Sequence, residues 1–368
     1  MTPKKIVFDW QPADHFGWGI YGLNLIVHAT AMGHLPIPLQ KPSFLFPLDP
    51  LSRSAIQGAV ARAGGGIQVT KDDLVLSALG NGVQGPRHKG PRNFGVIFFE
   101  HAPLSADSVA RLREYDLVVT GSSWNAQVLK RLGLRVENVI QGVDQDHFRP
   151  QPKRFLRDRF VVFSGGKLEY RKGQDILVKA FSIFSKRHPD ALLISAWRSP
   201  WDKNLSTSVN ESGLCAPLTL DEDVGKSMRA WLVQNGISEQ QFFCLEAVPN
   251  RLMPEVFREV DLAVFPNRCE GGTNLVAMEA LSSGICCAIA ANSGQLDLIQ
   301  EANCLVLEQQ SAIHRPGCEG WGESSVDELL DIMERRYSNA DLVPQSTARA
   351  SIAQWTWASA VQQLVSIQ

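Results

Sequence analysis

The chain has 368 residues and a formal net charge of −2, which is long for a single core and comfortable for two domains. The charge lacks the basic excess that nucleic-acid binding normally shows, and no apolar run is long enough to span a bilayer. The seven cysteines lie between Cys215 and Cys318, odd in number and without a C-x-x-C pair. The expectation is therefore a reduced, cytoplasmic protein without a zinc site, with peripheral contact to a membrane left open.

In chain order the first half alternates strand and helix. Residues 5–10 read as a strand; the basic, apolar start breaks at Asp9, which argues against a leader peptide. A helix follows at 21–32, strands at 74–79, 94–99 and 116–120, a helix at 123–132 and a strand at 136–141. The turn after the first strand offers aromatic faces at Phe16, Trp18 and Tyr21. The 80–92 loop is rich in glycine, proline and basic residues, as specificity loops on rigid scaffolds are. Residues 145–158, with Pro150 and Pro152, read as a linker, and the pattern repeats from Phe160. This alternation predicts an α/β protein of two doubly wound, parallel-sheet domains facing a cleft, with ligands at the carboxyl ends of the strands. The expected division is 1–150, 151–345 and a last helix in 346–368. The 200–223 excursion has no assigned role.

Two loops of the second half carry the chemistry. The apolar strand at 160–164 stops at Gly165-Gly166, and a helix with Ile176, Leu177, Ala180, Phe181 and Phe184 on one face starts at Gln174. Between them lie Lys167, Arg171 and Lys172, cations suited to a diphosphate. Further on, a strand at 261–265 ends in Glu270-Gly271-Gly272-Thr273-Asn274, and the next helix, carrying Glu279, starts at about Thr273-Asn274. Backbone N–H groups and a helix N-terminus there favour phosphate, while the carboxylates suit sugar or ribose hydroxyls. A ligand that is part phosphate and part polyol is a nucleotide sugar.

These segments resemble the family 4 glycosyltransferases, retaining enzymes of the two-Rossmann-domain (GT-B) architecture. The family's G-R/K-L-x-x-x-K-G segment is matched by Gly166-Lys-Leu-Glu-Tyr-Arg-Lys172-Gly173. Its Glu-x7-Glu signature, leading into L-E-A-x-x-x-G, is matched from Glu270 to Gly284, and a third match runs from Asp116 to Pro150. The resemblance covers about residues 94–310. One departure stands out. Eight residues, not seven, separate Glu270 from Glu279, so the extra one lies in the turn, where Gly271 and Gly272 are expected to absorb it through positive φ or close backbone approach.

The resemblance implies a retaining, metal-independent glycosyltransferase that moves a hexose from a UDP-, GDP- or ADP-linked sugar, with no cofactor. The acceptor (glycan, lipid, small molecule or protein) stays open. Lys167 and Lys172 would stabilise the leaving diphosphate together with the N–H groups of Gly272, Thr273 and Asn274. Glu270 would face the sugar, and Glu279 the ribose. Gly166, Arg171, Gly271 and Leu275 would line the donor site, and backbone around Val248 and Pro249 would hold the base. Gly17, Trp18 and Gly19 would approach the donor phosphate and the reacting sugar. A catalytic-centre histidine is expected near His101, with Glu100 competing for the register. The last helix is expected to cross back onto the first domain. The alternative is a homologue that has lost catalysis and senses a nucleotide sugar or serves as a scaffold.

Overall fold

The computed structural model describes residues 2–197, 203–340 and 342–367. Strands β1 (Lys5–Phe8), β2 (Leu35–Pro38), β3 (Leu74–Leu79), β4 (Asn93–Ile97), β5 (Leu117–Thr120) and β6 (Val136–Asn138) form one sheet in the order β2-β1-β3-β4-β5-β6. Strands β7 (Phe160–Gly165), β8 (Ala191–Ala196), β9 (Phe242–Cys244), β10 (Leu262–Phe265), β11 (Cys286–Ala290) and β12 (Leu305–Leu307) form a second, ordered β12-β11-β10-β7-β8-β9. All pairings in both sheets are parallel. Helices cover both faces, so inner strands such as Val161-Val162-Phe163 and Cys286–Ala290 are apolar on both sides and buried throughout. This is the GT-B arrangement of two Rossmann-like domains.

Strand order reverses between β1 and β3 in the first sheet and between β7 and β10 in the second. The loops leaving those strands diverge and open a crevice at the carboxyl edge of each sheet. They are the loops carrying Asp14 to Phe16 and Gly80-Asn81 in the first domain, and Gly166 to Lys172 and Pro266 to Asn274 in the second.

Several elements escape the sequence pattern. β2 reads Leu-Pro-Ile-Pro, and its prolines are tolerated because it is an edge strand. The helix Pro50–Ala63 has a weak apolar stripe, although Asp49 caps it by accepting from the Leu51 and Ser52 N–H groups and Pro50 sits at its first position. The short helix Ala106–Leu112 buries only Leu112. The first helix spans Gly17–Ala31, four residues earlier than expected, because glycines that read as a turn lie inside it. Of the 200–223 excursion, 200–202 lie outside the described residues; the helix Lys203–Thr207 and the tight turn Ser208–Ser212 follow.

The expected last helix is two helices, Gln345–Ser351 and Trp357–Ser366. Ala348 and Ile352 pack in the core of the second domain, while Trp357, Ala360, Val361, Leu364 and Val365 pack in the core of the first. The return to the first domain thus begins at Trp357, not at residue 346. The crossing runs tight against Gly142, where a Cβ would lie 2.1 Å from the Trp357 nitrogen.

Candidate functional site

Between the domains lies a cleft of about 1190 Å³, lined from both sides by the loops of the two reversal points. Its floor on the side of the second domain is a charge cluster. After Gly166, whose φ is 109°, the chain makes one tight helical turn at Tyr170–Lys172 and exits through Gly173 at φ 70°. Only glycine fits there, since a Cβ would lie 2.2 Å from the Pro266 carbonyl oxygen. The turn is propped from behind by fully buried Arg268, which donates to both Asp175 carboxylate oxygens at 2.8 and 2.7 Å and stacks over Tyr170 at 4.0 Å.

The turn's cations are paired with carboxylates. Arg171 donates to Glu270 at 3.0 Å and to the Cys269 carbonyl at 2.7 Å, and it meets Glu169 and Glu100. Lys172 and Asn267 both donate to the other Glu270 oxygen. Lys167 lies 3.4 Å from Glu169. Lys167, Arg171 and Lys172 thus face Glu100, Glu169 and Glu270 with formal charges in balance. Burial pushes the Glu270 carboxyl up, but the Lys172 and Arg171 charges and the hydrogen bonds from Lys172 and Asn267 outweigh it and hold it at about 2.

A stability prediction follows. A depressed carboxyl contributes stability above its ordinary pKa and loses it as pH falls through the folded value. Between about pH 4.5 and 2, Glu270 therefore accounts for a loss on the order of 3 kcal/mol. Acid unfolding of Glu270→Gln should show a shallower pH dependence over that window than the parent; identical profiles would contradict this role.

The second loop holds its shape differently from expectation. Neither Gly271 nor Gly272 has positive φ; Asn274 does, at 67°, so the left-handed step in the turn falls at an asparagine just before the helix Leu275–Ser282. Asn274 is steadied by donating to Gln295 at 3.0 Å. Gly271 serves instead for close approach, because a Cβ would sit 2.6 Å from the Phe99 carbonyl oxygen of the opposite domain. In the following helix Glu279 is buried at 3% exposure and accepts from Asn250 at 2.6 Å. Burial pushes its carboxyl up to about 8, against the opposing Asn250 hydrogen bond.

Across the cleft, Asn81 sets the turn after β4. It accepts from the Glu100 and His101 N–H groups and donates to the Glu100 carboxylate at 3.0 Å. A hairpin, β13 (Gln310–Ala312) with β14 (Gly322–Ser324), reaches over from the second domain. Its tip exchanges backbone hydrogen bonds with Ala102, and Trp321 donates to the Glu100 carbonyl at 2.8 Å. Among the described residues, no three His, Cys, Asp or Glu side chains gather as a metal site.

Residues 144–314 match the family described as Glycosyl transferases group 1. The matched segment is just under half of the chain. It is 27% identical over 195 residues to the mannosylfructose-phosphate synthase of Agrobacterium fabrum, a match covering 50% of this chain and 39% of that protein. It is 33% identical over 87 residues to the GDP-mannose-dependent alpha-(1-6)-phosphatidylinositol monomannoside mannosyltransferase of Mycolicibacterium smegmatis, covering 22% of this chain and 23% of that one. The matches thus span well under half of either relative's length. Similar solved structures include sucrose-phosphate synthase from Thermosynechococcus elongatus, with a TM-score of 0.67, 14% identity and coverage of 98% of this chain and 97% of that one. Another is Anabaena Alr3699/HepE in complex with UDP-glucose, with a TM-score of 0.60, 17% identity and 98% coverage of each chain. At these identities the structures establish the shared fold.

Within the matched segment, Gly166, Lys167, Arg171, Lys172, Val248, Glu270, Gly272, Asn274, Leu275 and Glu279 line the cleft, and Gly17, Trp18 and Glu100 line it from the other side. Other expected residues stand back. His101 is exposed and turns toward Trp321, with ring centroids 6.2 Å apart, so Glu100 takes the cleft position. Gly19 packs on Ala13, where a Cβ would lie 2.4 Å from the Ala13 Cβ, and Tyr21 is buried beside Trp10. Thr273 and Pro249 are buried behind the lining, and Gly271 abuts the opposite backbone. Sequence reasoning missed Glu169, although it sits in plain view among the cations. It also missed Asn267, three residues before its partner Glu270 in the same loop, and Asn250, which reaches Glu279 from another loop.

Proposed function

We propose that the cleft binds a nucleoside-diphosphate sugar and transfers the sugar, with retention of anomeric configuration and without a metal ion, to an acceptor hydroxyl. The observation that carries this reading is the convergence, at one strand-order reversal, of the cationic Gly166–Lys172 turn, the N-terminus of Leu275–Ser282 and the buried Glu279 carboxyl. The diphosphate lies against Lys167, Lys172 and the N–H groups from Gly272 onward, and the ribose hydroxyls donate to Glu279. As the bond from anomeric carbon to diphosphate oxygen breaks, charge grows on that oxygen, and these fixed groups stabilise it without reorganising. The acceptor oxygen forms its new bond on the same face, and its proton passes to the departing phosphate. Glu270 holds Lys172 and Arg171 in place while bordering the sugar. The names of the relatives support this donor class: one is GDP-mannose-dependent, and one similar structure holds UDP-glucose.

A thermal-shift panel of UDP, GDP, ADP and their sugar conjugates in chelator-treated buffer tests it. At a hundred times its dissociation constant, a ligand that binds only the native state stabilises by about 2.7 kcal/mol. At least one diphosphate should produce such a shift without added metal. A panel with no shift would reject the reading.

A further inference from the structure

The wall that the first domain presents to the cleft has its own chemistry. Phe16, Trp18, Ile20, Leu45 and Phe98 line it, the Trp18 and Phe98 rings lying 4.7 Å apart at 37°. Leu45, at 53% exposure, carries this apolar surface out to the rim. Within it sits one polar unit. Asp14 is buried and accepts from the backbone N–H groups of Leu45 at 3.0 Å and Phe46 at 3.2 Å. Its Oδ1 also lies 3.0 Å from His15 Nδ1. With His15 neutral and its proton on Nδ1 facing Asp14, Nε2 of this cleft-lining ring is a hydrogen-bond acceptor.

Cations are scarce on this wall: no lysine or arginine of residues 2–150 lines the cleft, and of its two carboxylates Asp14 pairs with His15 and Glu100 meets Arg171 of the second domain at 3.4 Å. The nearby basic loop turns elsewhere: Arg87 lies 3.3 Å and His88 3.9 Å from Asp9, which does not line the cleft.

We propose that the acceptor is a neutral hydroxyl compound carrying an apolar group, aryl or alkyl, and not a sugar phosphate. The apolar group rests on Trp18, Phe98 and Leu45, where burial of its surface drives binding, and a neighbouring hydroxyl donates to His15 Nε2. A phosphate monoester, with a charge of about −2 at neutral pH, would find no lysine or arginine on this wall. This inference rests on the nucleotide-sugar reading.

The test loads the protein with whichever nucleoside diphosphate gives the largest thermal shift. Tryptophan fluorescence is then followed during titration with phenyl β-D-glucoside and, separately, with glucose 6-phosphate. The glucoside should saturate with a dissociation constant at least tenfold below that of glucose 6-phosphate. Trp18→Phe should remove most of the signal change, and His15→Phe should weaken glucoside binding at least fivefold. Equal or tighter binding of glucose 6-phosphate, or no saturable binding of the glucoside, would overturn the proposal. A protein that no nucleoside diphosphate shifts fails at the earlier step and takes both readings with it, whereas one that shifts but prefers the sugar phosphate overturns the acceptor assignment alone.

Discussion

Glu279→Ala should abolish most of the stabilisation that a nucleoside diphosphate confers, which at a hundredfold excess over the dissociation constant is about 2.7 kcal/mol. The carboxyl is buried, and its one side-chain partner among the described residues is Asn250, which donates to it. The pH dependence has a definite sign. In the empty cleft burial holds the Glu279 carboxyl near 8, so at pH 6 it is mostly protonated. A raised carboxyl pKa contributes stability at low pH that is lost as pH rises from the ordinary carboxylate range through about 8. Ribose hydroxyls donate best to the ionised form, so binding releases a proton. Affinity should then climb with pH below about 8, approaching a tenfold gain per unit, and level off above it. Glu279→Gln should lose that slope while keeping whatever slope the phosphate's own titration contributes. Calorimetric titrations at pH 6, 7 and 8 on parent and variant check both points; equal slopes would remove Glu279 from the ribose contact.

Lys172→Ala should lower turnover by about 10²–10³, the range for removing one preorganised group from a developing oxyanion, while the protein stays folded. Glu270 keeps its bonds to Arg171 and Asn267 when Lys172 is gone, so no buried carboxylate is left unpaired. The loss should fall on kcat more than on KM, because charge on the leaving oxygen peaks in the transition state. Steady-state kinetics with circular dichroism on the same preparation separates this from misfolding, and full activity in the folded variant would remove Lys172 from the chemistry.

The positions of these residues were legible in the sequence to different degrees, for physical reasons. The two loops declare themselves because a buried parallel strand ending in glycine, cations and a new helix is a local pattern. Glu279 was legible for the same reason, sitting one turn into the helix that the loop starts. Partnerships were not legible. Nothing local distinguishes free cations on the Lys167–Lys172 turn from cations held by Glu100, Glu169 and Glu270, since two of those carboxylates come from other loops. The choice between Glu100 and His101 depended on Asn81, nineteen and twenty residues away in the chain, which fixes the turn through both N–H groups. Of the two glycines of the Glu270 loop, Gly271 is a place of close approach, Gly272 is not, and the left-handed residue is Asn274, whose side-chain bond to Gln295 is a tertiary contact. The final helix broke for the same kind of reason: its amphipathic stripe serves one core as far as Ile352 and another from Trp357.

The central claim, transfer of sugar from a nucleotide donor in this cleft, is tested most directly by measuring free nucleoside diphosphate released from UDP-, GDP- and ADP-sugars in metal-free buffer, with a panel of acceptors that includes both phenyl β-D-glucoside and glucose 6-phosphate. The account predicts that at least one donor releases diphosphate in step with glycosylated product, and that Lys172→Ala suppresses both by about 10²–10³. Release from no donor, or release that Lys172→Ala leaves unchanged, would contradict it.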